Sequence, residues 1–435
     1  MKERPTKRPE GNGRIGTRTD PADVRRLLEA LRPRVKGAEG EAEGAAAPGL
    51  SDLSDADWES VLRLARKTSL GPLLSYRAER SGSLAAAPES VRAELRREYC
   101  VNAIRNTSFF NGLAVVLRAL TEAGIEVIPL KGVHLAELVY RNRALRRIGD
   151  ADLLVKIEDM AAAEGAMRAL GYTQDRAATF KAALEVSQHV PPFKRVGSVD
   201  IELHWNIGNP ARGVTVDERG LWARSGRAQI GGGEVRVLSP ADLLLHLCMH
   251  MSVHHVFRGH LRTLFDIAET LEKYREELDW GVFRLGCGNP GIAKGCWLVL
   301  TLAAKHAGAE VPREVLDGLR PDGDPAAALA TAEELLLYGR NSAISPMVAR
   351  LWGSYSIEKK VRYFIRSIFL TRSEMAFVYP VCGSSLKLYF FYMWRVADLL
   401  KRYGKGVWRM FRREKMMAAD SADDLKVNAL SDWMR

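Results

Sequence analysis

No stretch of this chain of 435 residues approaches the roughly 18–20 uninterrupted apolar residues that a spanning helix needs; the best runs, such as Trp297 to Ala304, are far shorter. Cysteine is scarce. Cys100, Cys248, Cys287, Cys296 and Cys382 are dispersed without a C-x-x-C pair, which argues against a disulfide scaffold and reads as reduced thiols in a cytoplasm. The first twenty residues carry charge but no apolar h-region, so no secretory signal is expected there. No internal repeat is evident, and neither collagen-like nor coiled-coil periodicity is present. What is present is ordinary globular composition: 47% hydrophobic and 27% charged residues, in a length suited to about two or three domains.

The charge is lopsided. Lys and Arg number 64 against 53 Asp and Glu, a formal +11 at pH 7. Such a balance concentrates anions around the molecule, so phosphates, nucleotides, RNA and acidic lipid headgroups become the candidate partners. An Arg-rich surface that binds none of them would have the same composition.

The patterning divides the chain into five stretches. Residues 1–50 read as a basic, Pro/Gly-rich arm and a linker, with a short helix opening at Asp20-Pro21. Residues 51–123 carry apolar positions at helical spacing, with Leu95, Val101, Ile104, Leu113, Val116 and Leu120 expected on one face. Residues 124–240 change period. IEVIPL at 125–130, DADLLVKI at 150–157 and VDIELHW at 199–205 read as strands, with an edge strand at 233–238 and helices at 133–140 and 158–170. Ser239-Pro240 caps the first helix of a helical stretch over 241–340. Residues 341–435 are helical, basic and aromatic, with Tyr363, Phe364, Tyr389, Phe390, Phe391, Trp394 and Trp408 among many cations. That composition suits a packed core, a base-stacking RNA surface or an anionic membrane surface. The expected architecture is α+β: a small mixed-sheet core embedded in N-terminal and C-terminal helical regions.

The segment richest in chemistry is Ile148-Gly149-Asp150-Ala151-Asp152. In a strand, residues two apart share a face about 6–7 Å along it, so Asp150 and Asp152 project together while Ala151 and Leu153 pack inward. Two carboxylates so placed suit a hard divalent cation, which prefers oxygen ligands. The competing reading is a solvated strand end. Upstream, Lys131-Gly132 joins a strand to a helix start, where backbone N–H groups and a cation meet phosphate. Arg141, Arg143, Arg146 and Arg147 follow. Downstream, Asp200, Glu202 and His204 share one face of VDIELHW, and a third carboxylate there completes a metal cage or accepts a proton. The alternative is a plain polar face.

His246, His250 and His254 recur every four residues, with His255 adjacent. Imidazoles at i, i+4 can hold zinc, but no glutamate is placed as in H-E-x-x-H, so the readings favoured are a packing face or a contact of His250 or His254 with nucleotide or acceptor. Asp266, in LFDIAE, reads as a structural partner for a basic group or helix end.

Taken in order, AGIEVIPLKGVHLAELVY, RRIGDADLLVKIEDM, RALGY, VDIELHW and LSPADLLLHLCMH with LRTLFDIAE resemble the uncharacterised nucleotidyltransferases, a bacterial family of the DNA polymerase β superfold, over residues 95–275. The resemblance implies transfer of a nucleoside monophosphate from a nucleoside triphosphate to a hydroxyl-bearing acceptor, a small molecule or biosynthetic intermediate, on two Mg2+ ions, with Mn2+ as a substitute. It implies that Asp150 and Asp152 are the paired metal-binding acids and Glu202, in preference to Asp200, the third catalytic carboxylate. Gly132 stands where the wider superfold has Gly-Ser or Gly-Gly, with Lys131 beside it as in this subgroup, and the two with Arg146 and His250 make the expected nucleotide contacts. The alternatives kept are a non-catalytic binder of RNA, nucleotide or a membrane-attached complex, and a toxin-like enzyme modifying RNA or protein.

Overall fold

A computed structural model describes residues 20–32, 50, 53–174, 187–208, 214–339, 365, 369–379, 387–411 and 414–435. The arm expected over residues 1–19, the linker at 36–49, Tyr363, Phe364, Cys382 and the side chain of Trp408 lie outside that description.

Asp20 caps the first helix, α1 (Pro21–Leu31), its carboxylate accepting the Ala22 N–H at 2.8 Å, with proline in the first turn. Helix α2 (Asp55–Lys67) opens on a capping box between Ser54 and Asp57. Ser69, at φ 59°, separates it from α3 (Gly71–Arg80). Helix α4 (Glu89–Glu122) then runs for 34 residues. Its inward stripe corrects the sequence expectation. Leu95, Leu113, Val116 and Leu120 are buried, but Val101 and Ile104 are 52% and 72% exposed, and Asn102 and Asn106 take the inward positions. At 3.6 residues per turn, steps of 7, 4, 7 and 7 from Leu95 keep 102, 106, 113 and 120 on one line, whereas 101 and 104 fall about 120° and 180° around the helix.

The main sheet has the order β1-β2-β5-β4-β3, with β1 (Val127–Pro129), β2 (Ala151–Val155), β3 (Thr173–Gln174), β4 (Phe193–Lys194) and β5 (Ile201–His204). Strands β1 and β2 are antiparallel, β2 and β5 parallel, and β4 antiparallel to both β5 and β3, so the sheet is mixed. The edge strand expected near 233–238 is present as β7 (Gly233–Val237). It pairs with β6 (Gly226–Ile230) in a separate two-stranded sheet, which corrects its placement.

Strand alternation splits the packing between two cores. Val127, Leu153, Val155, Ile201 and Leu203 pack with Phe110, Leu113 and Leu120 of α4 and with α6 (Met160–Ala169). Ile128 and Leu154 point the other way, into the core of the helices that follow the sheet: α8 (Pro240–Met249), α9 (Leu261–Lys273) and α10 (Pro290–Leu302). Asp152 and Glu202 share that second face, because they differ from Leu153 and Leu203 by one residue. The chemistry therefore lies between sheet and helices.

Ser239 caps α8 by accepting the Asp242 N–H, and Arg224, ending α7 (Glu218–Arg224), grips the buried Asp242 carboxylate at 2.8 and 2.9 Å. Short π turns occur at Leu135–Val139, directly after α5 (Lys131–His134), and at His250–His254, directly after α8. On α11 (Lys387–Phe411), Leu388 is buried while Tyr389, Phe390, Met393 and Trp394 face outward. The terminal helix α12 (Glu414–Met434) docks through buried Leu430 and Met434, an Arg258–Asp424 ion pair at 2.6 Å, and a Lys294 Nζ bond to the Trp433 carbonyl at 2.8 Å. No helix among the described residues is long and apolar enough to cross a membrane.

Candidate active site

The site begins with register. Parallel pairing of β2 with β5 sets Asp152 directly opposite Glu202, and Leu154 opposite His204. Asp152 is nearly buried at 5% exposure, which is costly for a carboxylate unless cations answer it. Two do. Asp152 Oδ1 accepts from Lys131 Nζ at 3.0 Å and lies 2.8 Å from His204 Nε2. His204 Nε2 is also 3.5 Å from Glu202 Oε2, so one imidazole bridges two acids. Burial pushes the Asp152 pKa up, but the Lys131 charge and the His204 hydrogen bond outweigh it and hold the group well below its ordinary value. Burial likewise opposes ionisation of Glu202, and the His204 bond again prevails. His204 is buried too, yet its bonds to both carboxylates raise its pKa.

Asp150 stands on the solvent-facing rim just ahead of β2. Partial desolvation and the negative charges of Asp152 and Glu202 raise its pKa, and Lys131 acts the other way. Its carboxylate thus belongs to the same electrostatic cluster. Asp200 does not: it is exposed and contributes its carbonyl to the Ala151 N–H at 2.9 Å. His189, bridged antiparallel to His204, anchors its Nδ1 on the Val190 carbonyl at 2.8 Å and lies 3.9 Å from Glu202 Oε2.

Lys131 arrives at Asp152 because β1 runs antiparallel to β2 and the ladder extends one step further, Leu130 N–H to Asp152 carbonyl at 2.9 Å. The lysine backbone has φ 43°, a left-handed conformation costing about 1–3 kcal/mol in a residue with a Cβ, which the surrounding structure must over-determine. Gly132 needs its missing side chain: a Cβ there would stand 2.7 Å from Arg146 Nη1. The helix expected from this point is a single turn, α5, running straight into the π turn at Leu135–Val139.

Arg146 is tied to the helix that follows the sheet. Its guanidinium is buried and forked onto Asp266 at 3.0 and 3.3 Å, and Tyr140 Oη donates to the same carboxylate at 3.0 Å. In this structure Arg146 braces the loop before Asp150 against α9. Asp266 is the structural partner that the sequence suggested. Two residues that the sequence reading passed over hold the same loop. Asn102 Nδ2 donates to the Ala144 carbonyl at 2.6 Å, and Asn106 Nδ2 to the carbonyls of Arg143 and Arg146, the latter at 2.8 Å. An asparagine recurring at a four-residue step on the apolar stripe of a helix was the available signal. Arg262 was also missed. Its Nη1 donates to the Arg147 carbonyl at 3.2 Å, while Nε is buried without a hydrogen-bond partner among the described residues. The Arg146 charge and burial depress its pKa to about 10.

The histidine face is rearranged as well. His246 is buried in the core, its Nδ1 without a partner among the described residues. His254 Nε2 lies 3.4 Å from the Ile207 carbonyl. His250 instead meets His255 and His260, with ring centroids 4.4 and 5.3 Å away. A π turn stacks residues five apart, and the His255 N–H bond to the His250 carbonyl at 3.2 Å marks it. His254, four residues from His250, stays in looser contact with it, ring centroids 6.2 Å apart. Burial holds His250 well below its ordinary pKa and His260 at about 4.

The class is that of α+β proteins with acidic side chains gathered on one sheet face and answered there by a lysine and a histidine. The sequence model of the family described as uncharacterised nucleotidyltransferase matches residues 54–308, more than half of the chain, and the chain belongs to that family. It is a nucleotidyltransferase enzyme. Among solved structures the chain is similar to the antibiotic-resistance factor ANT(2'')-Ia, at 12% identity over 41% of this chain and 91% of that one; the TM-score of 0.29 is too low to carry an argument. No curated protein matches.

Proposed function

We propose that the protein transfers a nucleoside monophosphate from a nucleoside triphosphate to a hydroxyl of a small-molecule or biosynthetic-intermediate acceptor, at a site formed by Asp150, Asp152 and Glu202. The observation that carries this reading is the register of β2 against β5, which brings carboxylates 50 residues apart in sequence side by side on a buried face. A packed face has no use for acids whose burial must be offset by Lys131 and His204.

The donor set fits a hard divalent ion. Asp152, Glu202 and His204 offer ligand atoms within 4.8 Å of one another, and Asp150 adds a carboxylate at the rim. Asp150, Asp152 and Glu202 would hold magnesium, which supplies charge neutralisation around the reacting phosphate when bound. The remaining work belongs to the chain. Lys131, whose ammonium already sits against Asp152, would meet the anionic triphosphate there. Glu202 is ionised at neutral pH and takes the proton of the attacking hydroxyl at Oε2 as the acceptor oxygen bonds to the α-phosphorus and the bond to the departing pyrophosphate breaks. His204 fixes Asp152 and Glu202 relative to one another before any substrate arrives, which is electrostatic preorganisation.

The experiment is incubation of the full chain with each α-labelled nucleoside triphosphate, magnesium and a cell extract. Label enters an acceptor with the wild type and not with Asp150→Asn or Asp152→Asn, both of which retain the wild-type circular dichroism. Undiminished labelling by both variants would sink the assignment.

A further inference from the structure

We infer that His250, His255 and His260 form a second metal site, distinct from the carboxylate cluster, that takes zinc or a similar late first-row divalent ion. The three side chains present ligand nitrogens within 4.8 Å of one another. Their rings converge pairwise, with centroids at 4.4 Å (His250 to His255), 5.3 Å (His250 to His260) and 3.8 Å (His255 to His260). Zinc bound at about 2.0–2.1 Å to three imidazoles asks for nitrogens roughly 3.3 Å apart, so closing the site requires the rings to turn and those of His255 and His260 to separate. Imidazole is the ligand of zinc, copper, nickel and iron, whereas magnesium prefers carboxylates and water; the two clusters of this protein therefore select different metals.

The backbone shows how the cluster is built. The π turn at His250–His254 brings residue 255 over residue 250. The chain then reverses through Val256 at φ 46° and Phe257 at φ 64°, with Gly259 at φ 72°, and delivers His260 to the start of α9. Positive φ is a true outlier for β-branched valine. It is held here because Phe257 and Val256 are both buried, the Phe257 N–H bonds to the Met251 carbonyl at 2.9 Å, and Arg258 is fastened to Asp424 at 2.6 Å. A turn held against its backbone preference, with three imidazoles gathered at its base, is the kind of strain that persists at functional sites. Three protein ligands leave a fourth position open. Lys131 acts on both His250 and His260, and around His260 it is joined by Arg146 and Arg262 against the one Asp266, so an anionic oxygen is the natural fourth ligand.

The test uses the full chain, stripped with a chelator and titrated with Co2+ as the visible probe. The wild type gains one equivalent of Co2+ with a tetrahedral visible band, which Zn2+ bleaches one for one and excess Mg2+ leaves unchanged. The double variant Asp152→Asn, Glu202→Gln gives the same band, and His255→Ala and His260→Ala each lose it. His255 is exposed, so the stripped His255→Ala protein melts with the stripped wild type, and Zn2+ raises the melting temperature of the wild type alone. Should stripped His260→Ala melt lower, His255→Ala decides. Absence of the band from the wild type, its survival in His255→Ala, or its loss with the carboxylate variant overturns the site.

Discussion

Asp152 shows what a single residue must satisfy. A carboxylate at 5% exposure costs several kcal/mol unless its charge is answered, and here Lys131 and His204 both converge on Oδ1. The lysine does so from a left-handed backbone. This arrangement predicts strong coupling between Lys131→Met and Asp152→Asn. Each alone lowers stability in urea melts, the lysine variant because it leaves a buried charge with His204 as its remaining partner. The double variant regains part of the loss, giving a coupling energy of about 1–3 kcal/mol. Strict additivity of the two would show that the ammonium and carboxylate do not sense one another. Transfer, by contrast, stays lost in the double variant, since restored stability does not restore the acid.

At the scale of elements, the strand that carries the acids is braced by a helix from before the sheet and one from after it. Asn102 and Asn106 hold loop carbonyls from α4, while Arg146 locks the same loop onto Asp266 of α9. Asp266→Ala leaves the buried Arg146 uncompensated and should cost about 3–5 kcal/mol in equilibrium unfolding, whereas Arg146→Met combined with Asp266→Leu should recover most of it. Equal losses in the single and double variants would refute the bracing role. Much of this was legible beforehand and some was not. Period-two alternation shows that Asp150 and Asp152 share a face, and that Glu202 and His204 share one, because alternation is a local property of an extended chain. The meeting of those faces depends on strand register, which a single sequence does not specify across the 50 residues between them. The Arg146–Asp266 pair spans 120 residues and is equally long-range. The histidine cluster was hidden for a different reason: a π turn replaces the helical period, and Val256 and Phe257 enter the left-handed region without a glycine to announce it.

Across the whole molecule, the carboxylate site is sandwiched between a sheet and a helical core that also buries neutral histidines, and this sets a pH dependence. His134, in α5 and 1% exposed, has its pKa pushed down by burial to about 4, against an ordinary value near 6.5. Between these values the unfolded chain binds a proton that the folded chain does not, so stability rises with pH from about 4 to 6.5 and is level above. From pH 7 to pH 5 His134 alone should remove about 2 kcal/mol, and buried His246, shifted the same way, adds to it. The formal charge of +11 grows as histidines and acids protonate, and general self-repulsion destabilises the fold in the same direction. Salt separates the two causes, because added salt screens exposed like charges and leaves a desolvated imidazole nearly untouched. Urea midpoints at pH 5, 6 and 7, at low and high salt, should therefore keep most of their pH slope at high salt. His134→Gln should flatten that slope at both ionic strengths. A slope that vanishes in salt would locate the acid sensitivity in surface charge, and one that survives salt but is unchanged by His134→Gln would remove His134 as its source.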